Sequence, residues 1–188
     1  MLGYLQEPHP HARVSTGTSR CDSRTNSVHG MLKDRILQVA GRNSGIITLD
    51  QLRELGHSPR LARGRIERGQ WRRMMPGVFL AEPGPPTWEQ RAIAALKWAG
   101  PIAALSHESA GWMNNLLNWR PRHIDVTVPK NGKTHTPRWS LVRIHRTSQF
   151  PPVIIQPFRY TAMIPTLMDL LDQTERPDDV VGLITAAL

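Results

Sequence analysis

The stretch SPRLARGRIERGQWRRMMPGVFLA, from Ser58 to Ala81, constrains this chain more than any other. Pro59 suits the first position of a helix, where its missing N–H costs nothing, and Ser58 before it is placed to cap. At about 100° per residue, Ala62, Ile66 and Gly69 fall on one side. Arg60, Arg63 and Arg68 fall broadly on the other with Glu67, and Arg65 flanks the apolar stripe. After Gly69 the pattern changes. Trp71-Arg72-Arg73-Met74-Met75, the turn dipeptide Pro76-Gly77 and Val78-Phe79-Leu80-Ala81 predict two short strands meeting at a tight turn. Six arginines stand between Arg60 and Arg73 against the single acid Glu67.

What precedes this stretch gives it a context. Leu32, Ile36, Val39 and Ala40 recur at helical spacing, so 31–40 is expected to be an amphipathic helix, stopped by Gly41 and the polar run Arg42-Asn43-Ser44-Gly45. Ile46-Ile47 suits a brief strand. Thr48 with Gln51 forms a capping box for a helix over 49–55, which Gly56 stops. Helix, short strand, helix, tight turn, basic helix and hairpin is the order of a winged helix-turn-helix, whose third helix enters a major groove. The candidate DNA-binding residues are therefore Ser58, Arg60, Arg63 and Arg68 on the helix, with Arg72 and Arg73 on the hairpin.

Most of these arginines are expected on phosphates, which position a protein without reading sequence. One arginine on a guanine edge supplies about 1–3 kcal/mol of discrimination. Arg72 and Arg73 alternate along a strand, so at most one is expected to reach DNA, while the other, or Trp71, packs on the helices. The competing reading of the arginines is a solvated charged face.

Charge supports an anionic partner. The 188 residues carry a formal net charge of +9, with an isoelectric point near 10.9. The excess is uneven. Residues 1–84 hold 13 Lys/Arg against 7 Asp/Glu, and 85–188 hold 11 against 8, so the surplus lies with the helix and hairpin. The single cysteine, Cys21, excludes an internal disulfide framework and fits a reducing cytoplasm. No apolar run approaches the ~18 residues of a membrane span, and the first thirty residues lack the apolar core of a secretory leader. A cytoplasmic location is expected. Residues 1–27, rich in Ser, Thr, Arg and Pro, read as a disordered extension, with Met31 an alternative start on fold grounds.

The run Ala81-Glu82-Pro83-Gly84-Pro85-Pro86 reads as a stiff linker. It divides a winged helix-turn-helix domain, 28–82, from a second domain, 87–188, with 83–86 between them. Thr87 and Gln90 make a second capping box, followed at helical spacing by Trp88, Ala92, Ala95, Leu96 and Ala99. Gly100-Pro101 breaks that helix, and Ser106 is expected to open another reaching about Leu117. The period then drops to two. Strands are predicted over 124–128, 141–146 and 154–160, with Asn131-Gly132 as a turn and Pro157 making the last an edge or interrupted strand. Thr166 with Asp169 is expected to cap a helix through Leu171, and Pro177 to start a final one over 178–187. The fold class expected is α+β: a winged helix-turn-helix, then a small α+β domain with a sheet of about three strands.

The remaining chemistry-bearing residues form no obvious centre. Ser106-His107-Glu108 is a tempting string, but adjacent helical residues diverge by about 100°, and a nucleophile and its base must lie within hydrogen-bond reach. His107, His123, His135 and His145 are too scattered for a metal site, as are His9, His11 and His29. Asp125 and Asp169 form no recognisable carboxylate pair. Trp112, Trp119 and Trp139 suit a core or an interface. Arg120, Arg122, Lys130, Lys133, Arg138, Arg143 and Arg146 give the second half its own basic surface. No catalysis, cofactor or metal is expected.

Four places carry a family resemblance: Gly45-Ile46-Ile47-Thr48 with Leu52 and Leu55-Gly56; Arg68-Gly69-Gln70-Trp71 leading to Pro76-Gly77-Val78-Phe79; Ala104-Leu105-Ser106-His107-Glu108-Ser109-Ala110; and Thr166-Leu167-Met168-Asp169-Leu170. In order and spacing, over about 45–171, the chain resembles the AbiEi antitoxin family of type IV toxin–antitoxin systems in its actinobacterial style. The resemblance implies an N-terminal winged helix that binds double-stranded operator DNA and represses its own operon. It further implies a C-terminal domain that counters a cognate, AbiEii-like nucleotidyltransferase toxin. The endonuclease-like domain of some relatives is not carried over. The alternative reading is a stand-alone winged-helix regulator whose second domain senses a ligand or dimerises.

Overall fold

The computed structural model describes residues 35–131, 141–156, 158–174 and 177–188. The expectations placed on 1–27, on Met31 and Leu32, and on Gly132, Lys133, His135, Arg138, Trp139 and Pro157 lie outside them. The architecture is α+β, with helices on a three-stranded and a five-stranded sheet. The first half runs α1 (35–41), β1 (Ile46–Thr48), α2 (Leu49–Glu54), α3 (Pro59–Glu67), β2 (Arg72–Met75) and β3 (Val78–Leu80). Then come α4 (Trp88–Ala99), β4 (Ala104–Leu105), α5 (His107–Met113), β5 (Ile124–Pro129) and β6 (Val142–Thr147). The chain ends with β7 (Val153–Ile154), β8 (Tyr160–Thr161), α6 (Met163–Gln173) and α7 (Pro177–Ala187).

The small sheet is antiparallel, in the order β1-β3-β2, and is covered on both faces. Period-two alternation assigns its side chains. Ile46, Val78 and Leu80 join the core around α4, whereas Ile47 and Phe79 join a second core with Ile36, Leu52, Ala62 and Trp71 under the first three helices. Leu80, Ile46 and Ile47 are fully buried as a result.

Helix α4 binds the two halves together. Ala92, Ile93, Ala94 and Ala95 are all buried, the mark of a helix covered on every side. It packs on β1, β2 and β3 and also on β4 and β5, the small side chains permitting close approach to both sheets. Residues 82–85 run exposed across the surface, while a single apolar cluster continues beneath them from Ile46 through Trp88 to Val126. Trp88 adds a buried hydrogen bond, its Nε1 donating to the Pro121 carbonyl at 3.1 Å.

The larger sheet has five strands, in the order β6-β5-β4-β8-β7, where about three were expected. Two causes account for the difference. The stretch 154–160 is not one strand: β7 and β8 pair antiparallel, Val153 opposite Thr161 and Ile154 opposite Tyr160. The two-residue β4 sits between β5 and β8, pairing with both. Strands β5 and β6 are parallel, Ile124 opposite Val142 through to Pro129 opposite Thr147.

Both capping boxes form: Gln51 N donates to Thr48 Oγ1 at 3.2 Å and Thr48 N to Gln51 Oε1 at 2.9 Å, with the same reciprocity between Thr87 and Gln90. Three other expected helix starts differ. Ser58 and Ser106 occupy N-cap positions with extended backbone, but neither hydroxyl makes the capping bond. Thr166 lies inside α6 rather than at its start, fully buried, its Oγ1 donating to the Ala162 carbonyl at 2.8 Å. Helix α5 ends at Met113, short of Leu117, and Asn115 turns the chain with φ of 60°.

Candidate functional site

Helix α3 is anchored by the buried Ala62, with Leu61 and Ile66 partly buried against the same core. This docking leaves Arg60 and Arg63 exposed on the outer side. Arg65 is half-buried and donates from Nη1 to Gln70 Oε1 at 2.8 Å. Arg68 caps the C-terminal end, exposed, with its guanidinium lying along Gly64. The chain then turns tightly: Gln70 N and Trp71 N both donate to the Arg65 carbonyl, at 3.0 and 3.2 Å. That turn sets the start of β2 beside the end of α3.

Trp71 packs inward against Phe79, ring centroids 6.4 Å apart. Arg72 and Arg73 are both exposed, and of the two alternatives expected to pack inward, the second arginine or Trp71, it is Trp71 that does so. The two arginines lie at the free end of an edge strand, and the pairing jumps from Arg73 opposite Phe79 to Met75 opposite Val78. This bulge lets Met74 and Met75 both turn into the core. The hairpin tip does not project. The Gly77 carbonyl accepts from Leu49 N at 2.7 Å, holding the tip against the start of α2. The outward part of the hairpin is its arginine pair.

Among the described residues the ion pairs are Arg53–Asp50, Arg120–Glu89, His107–Asp169 and His145–Asp125. None engages Arg60, Arg63, Arg68, Arg72 or Arg73. Five solvated guanidiniums on one helix and the adjoining strand end form a positive surface that oxyanions can approach without displacing a carboxylate. Ser58 is exposed at the helix start, where its uncommitted hydroxyl can donate outward.

A groove of about 970 Å³ between α2, the hairpin tip and α4 mixes Arg42, Arg53, Lys97 and Arg159 with Asp50 and Glu54. Its mixed sign suits a polyanion less well than the α3 surface does. In the second half, Arg120 is committed to Glu89 at 3.0 Å and stands 5.5 Å over the Trp112 ring, while Trp119 is exposed. Arg122, Lys130 and Arg143 are exposed.

One constellation escaped the sequence. His107 and His145 stack with ring centroids 3.6 Å apart and planes at 18°. His145 Nε2 lies 2.9 Å from Asp125 Oδ1, and His107 Nδ1 lies 3.5 Å from Asp169 Oδ2. Asp125 and Asp169 thus flank one histidine pair, although they looked unrelated along the chain. Burial first, then the neighbouring His145, hold His107 below its ordinary 6.5, against the pull of Asp169 and Asp125. Ser106 is fully buried with its hydroxyl unpartnered, so Ser106-His107-Glu108 presents no accessible nucleophile. Asp125 in the run Ile124-Asp125-Val126 was the one available signal: a charge between apolar strand residues. Among the described residues no group of three or more His, Cys, Asp or Glu is arranged to hold a metal, and no helix is long and apolar enough to cross a membrane.

No family model matches the chain. No curated protein matches it either. Among solved structures, the crystal structure of the RV2827C protein from Mycobacterium tuberculosis is similar to it at 18% identity and a TM-score of 0.45, over 64% of this chain and 46% of that one. The chain thus spans under half the length of that protein.

Proposed function

We propose that this protein is a winged-helix DNA-binding regulator that grips duplex operator DNA through α3 and the start of β2, and that it serves as the antitoxin of a type IV toxin–antitoxin pair. The observation that carries the DNA half is the set Arg60, Arg63, Arg68, Arg72 and Arg73: exposed, adjoining, and free of ion pairs among the described residues. Pro59 opens α3 without a side-chain cap; Pro59 has no N–H and Leu61 N donates to the Ser58 carbonyl, so the Arg60 N–H is the first-turn amide available to a phosphate. Ser58 extends the same edge.

In this reading α3 lies in the major groove, and Arg72 with Arg73 holds the flanking backbone. The mechanism is electrostatic positioning followed by a small number of base contacts, with no bond made or broken. The antitoxin half rests on the four stretches similar to AbiEi antitoxins, two of which fall in α5 with its preceding strand and in α6. These elements are assigned to the encounter with a nucleotidyltransferase toxin.

A mobility shift on the DNA upstream of the gene tests the first half. Binding is expected at low salt and expected to vanish when Arg60, Arg63 and Arg68 are all changed to Ala. Retention by that triple variant would sink the DNA reading. Co-expression with the neighbouring gene product tests the second: relief of growth arrest supports the antitoxin, and unrelieved arrest leaves a stand-alone regulator.

A further inference from the structure

We propose that the stacked His107–His145 pair is a proton-operated latch, which holds α5 and α6 on the five-stranded sheet at neutral pH and loosens them as the solution acidifies. The pair joins four elements: His107 begins α5, His145 belongs to β6, Asp125 to β5 and Asp169 to α6. Two imidazole faces 3.6 Å apart make good contact while no more than one is charged. A second proton puts two cations face to face at that distance, with His107 15% and His145 27% exposed and the Asp125 carboxylate beside them only 1% exposed.

The counter-charges are fixed and few. Asp125 faces the pair from β5 and uses only Oδ1, its buried Oδ2 having no partner. Asp169 faces it from α6 at the looser 3.5 Å and is one-third exposed. Arg143 shares the face of Asp125 and His145, directly opposite Asp125 in the register but solvent-exposed, and Arg146, on the other face of β6, is exposed too. The remaining charged or titratable groups of these elements are engaged elsewhere. Glu108 lines the cavity beside α7, Asp172 is exposed, Arg159 lines the groove by α2, and Tyr160 joins the core around α4.

The backbone supplies a second reason for release. His107 sits at φ of 49°, a left-handed conformation that a histidine keeps only while its surroundings impose it. Once the stack is repelled, that conformation loses its support, and the first turn of α5 is free to relax. Catalysis is a poorer use of the same groups. Two rings in face-to-face contact leave no room for a scissile group between them, and Ser106 is sealed from solvent.

Hydrogen exchange on the intact chain, at about pH 7.5 and about pH 5.5, tests the latch, because ordinary carboxylates stay ionised across that window. After correction for intrinsic exchange, the amides of α5 and α6 are expected to open about tenfold more readily at the lower pH, as one proton-linked step allows. Those of α4, which carries no histidine, should not change. His107→Asn, which tolerates left-handed backbone, and His145→Gln, which keeps an amide donor toward Asp125, are each expected to abolish the difference. Equal protection of α5 and α6 at both pH values in the wild type overturns the proposal. So does either folded variant retaining the wild-type ratio.

Discussion

The Gln90 side chain belongs to two structures at once. Its Oε1 accepts from Thr87 N at 3.0 Å to complete the cap of α4, while its Nε2 donates to the Ser44 carbonyl at 3.0 Å and to Glu82. One amide thereby starts the central helix and fastens it to the loop before β1. Gln90→Ala removes both, and unfolding in urea is expected to show a loss of about 2–3 kcal/mol, since capping and buried hydrogen bonds each contribute at this scale. Gln90→Glu keeps the capping acceptor but sets a carboxylate against the Ser44 carbonyl and Glu82. Its deficit should be largest at neutral pH and shrink as the solution is acidified toward the carboxylate range. A Gln90→Ala protein as stable as wild type would remove Gln90 from this role.

Gly111 sets how closely α5 approaches α6. A β-carbon there would lie 2.9 Å from Leu170 Cδ1 and 3.1 Å from Leu117 Cδ1, both in the small core beneath α7. Gly111→Ala is therefore expected to destabilise by about 1–3 kcal/mol through overpacking, despite alanine's better helix propensity. Leu170→Ala makes room for the added methyl. The double variant should cost less than the two single changes together, by at least about 0.5 kcal/mol. Strict additivity would mean that the helices shift apart freely.

Gly64 behaves in the opposite way. The nearest neighbour of an added β-carbon is the far end of the flexible Arg68 side chain, at 3.3 Å, which can swing into solvent. Gly64→Ala should raise thermal stability by about 0.5–1 kcal/mol, the ordinary gain of alanine over glycine inside a helix. It also moves a guanidinium assigned here to DNA. A more stable protein with altered DNA affinity is the expected pairing, and an unchanged affinity would take Arg68 out of the contact surface.

What the sequence disclosed and what it concealed divide by range. Thr48 with Gln51, and Thr87 with Gln90, close capping boxes across three residues, so each was readable from the chain and each is present. The brief strands at Ile46-Ile47 and from Val78 were equally legible, although only packing reveals that both faces are covered. Ser58, Ser106 and Thr166 mislead because a hydroxyl at a plausible cap position also fits burial or solvent, and tertiary contacts decide between them. Strand β4 is two residues long and owes its existence to β5 and β8 on either side. The pairing of Asp125 with His145 crosses from β5 to the parallel β6, and His107 joins them from a third element. No local spacing encodes such a meeting. The outward arginines were read from helical periodicity, but the exposure of both Arg72 and Arg73 comes from their place at the end of an edge strand, and the inward turn of both Met74 and Met75 from a bulge that MM-PG does not announce.

If α3 and the start of β2 hold DNA phosphates, affinity must fall steeply with salt. Each phosphate neutralised contributes a slope of about 0.9 in log affinity against log salt. Changing Arg60, Arg63 and Arg68 to Ala should flatten the slope by about two to three, and changing Arg72 and Arg73 by up to about two. Arg143→Ala, exposed on β6 and remote in sequence, is the control and should leave it unaltered. Mobility shifts over a salt series supply these slopes. If the Arg143 variant matched the triple variant, a diffuse charge effect would replace the assigned surface.

The histidine stack gives stability its own pH dependence. Burial, chiefly, and then His145 hold His107 below its ordinary 6.5 in the folded chain, against the opposing pull of the two carboxylates. Unfolding frees it to take a proton more readily. Below 6.5 the unfolded state therefore binds more protons at this position than the folded state, and stability falls as pH falls. Above that value both states leave His107 neutral, and its full contribution is present. Urea midpoints from about pH 8 down to about pH 5 should hold level and then decline. In His107→Asn the decline over this window should be shallower, because one of the groups that charges on unfolding is gone. Identical pH profiles for the two proteins would mean that His107 takes up its proton equally in both states, and that the stack leaves its protonation undisturbed.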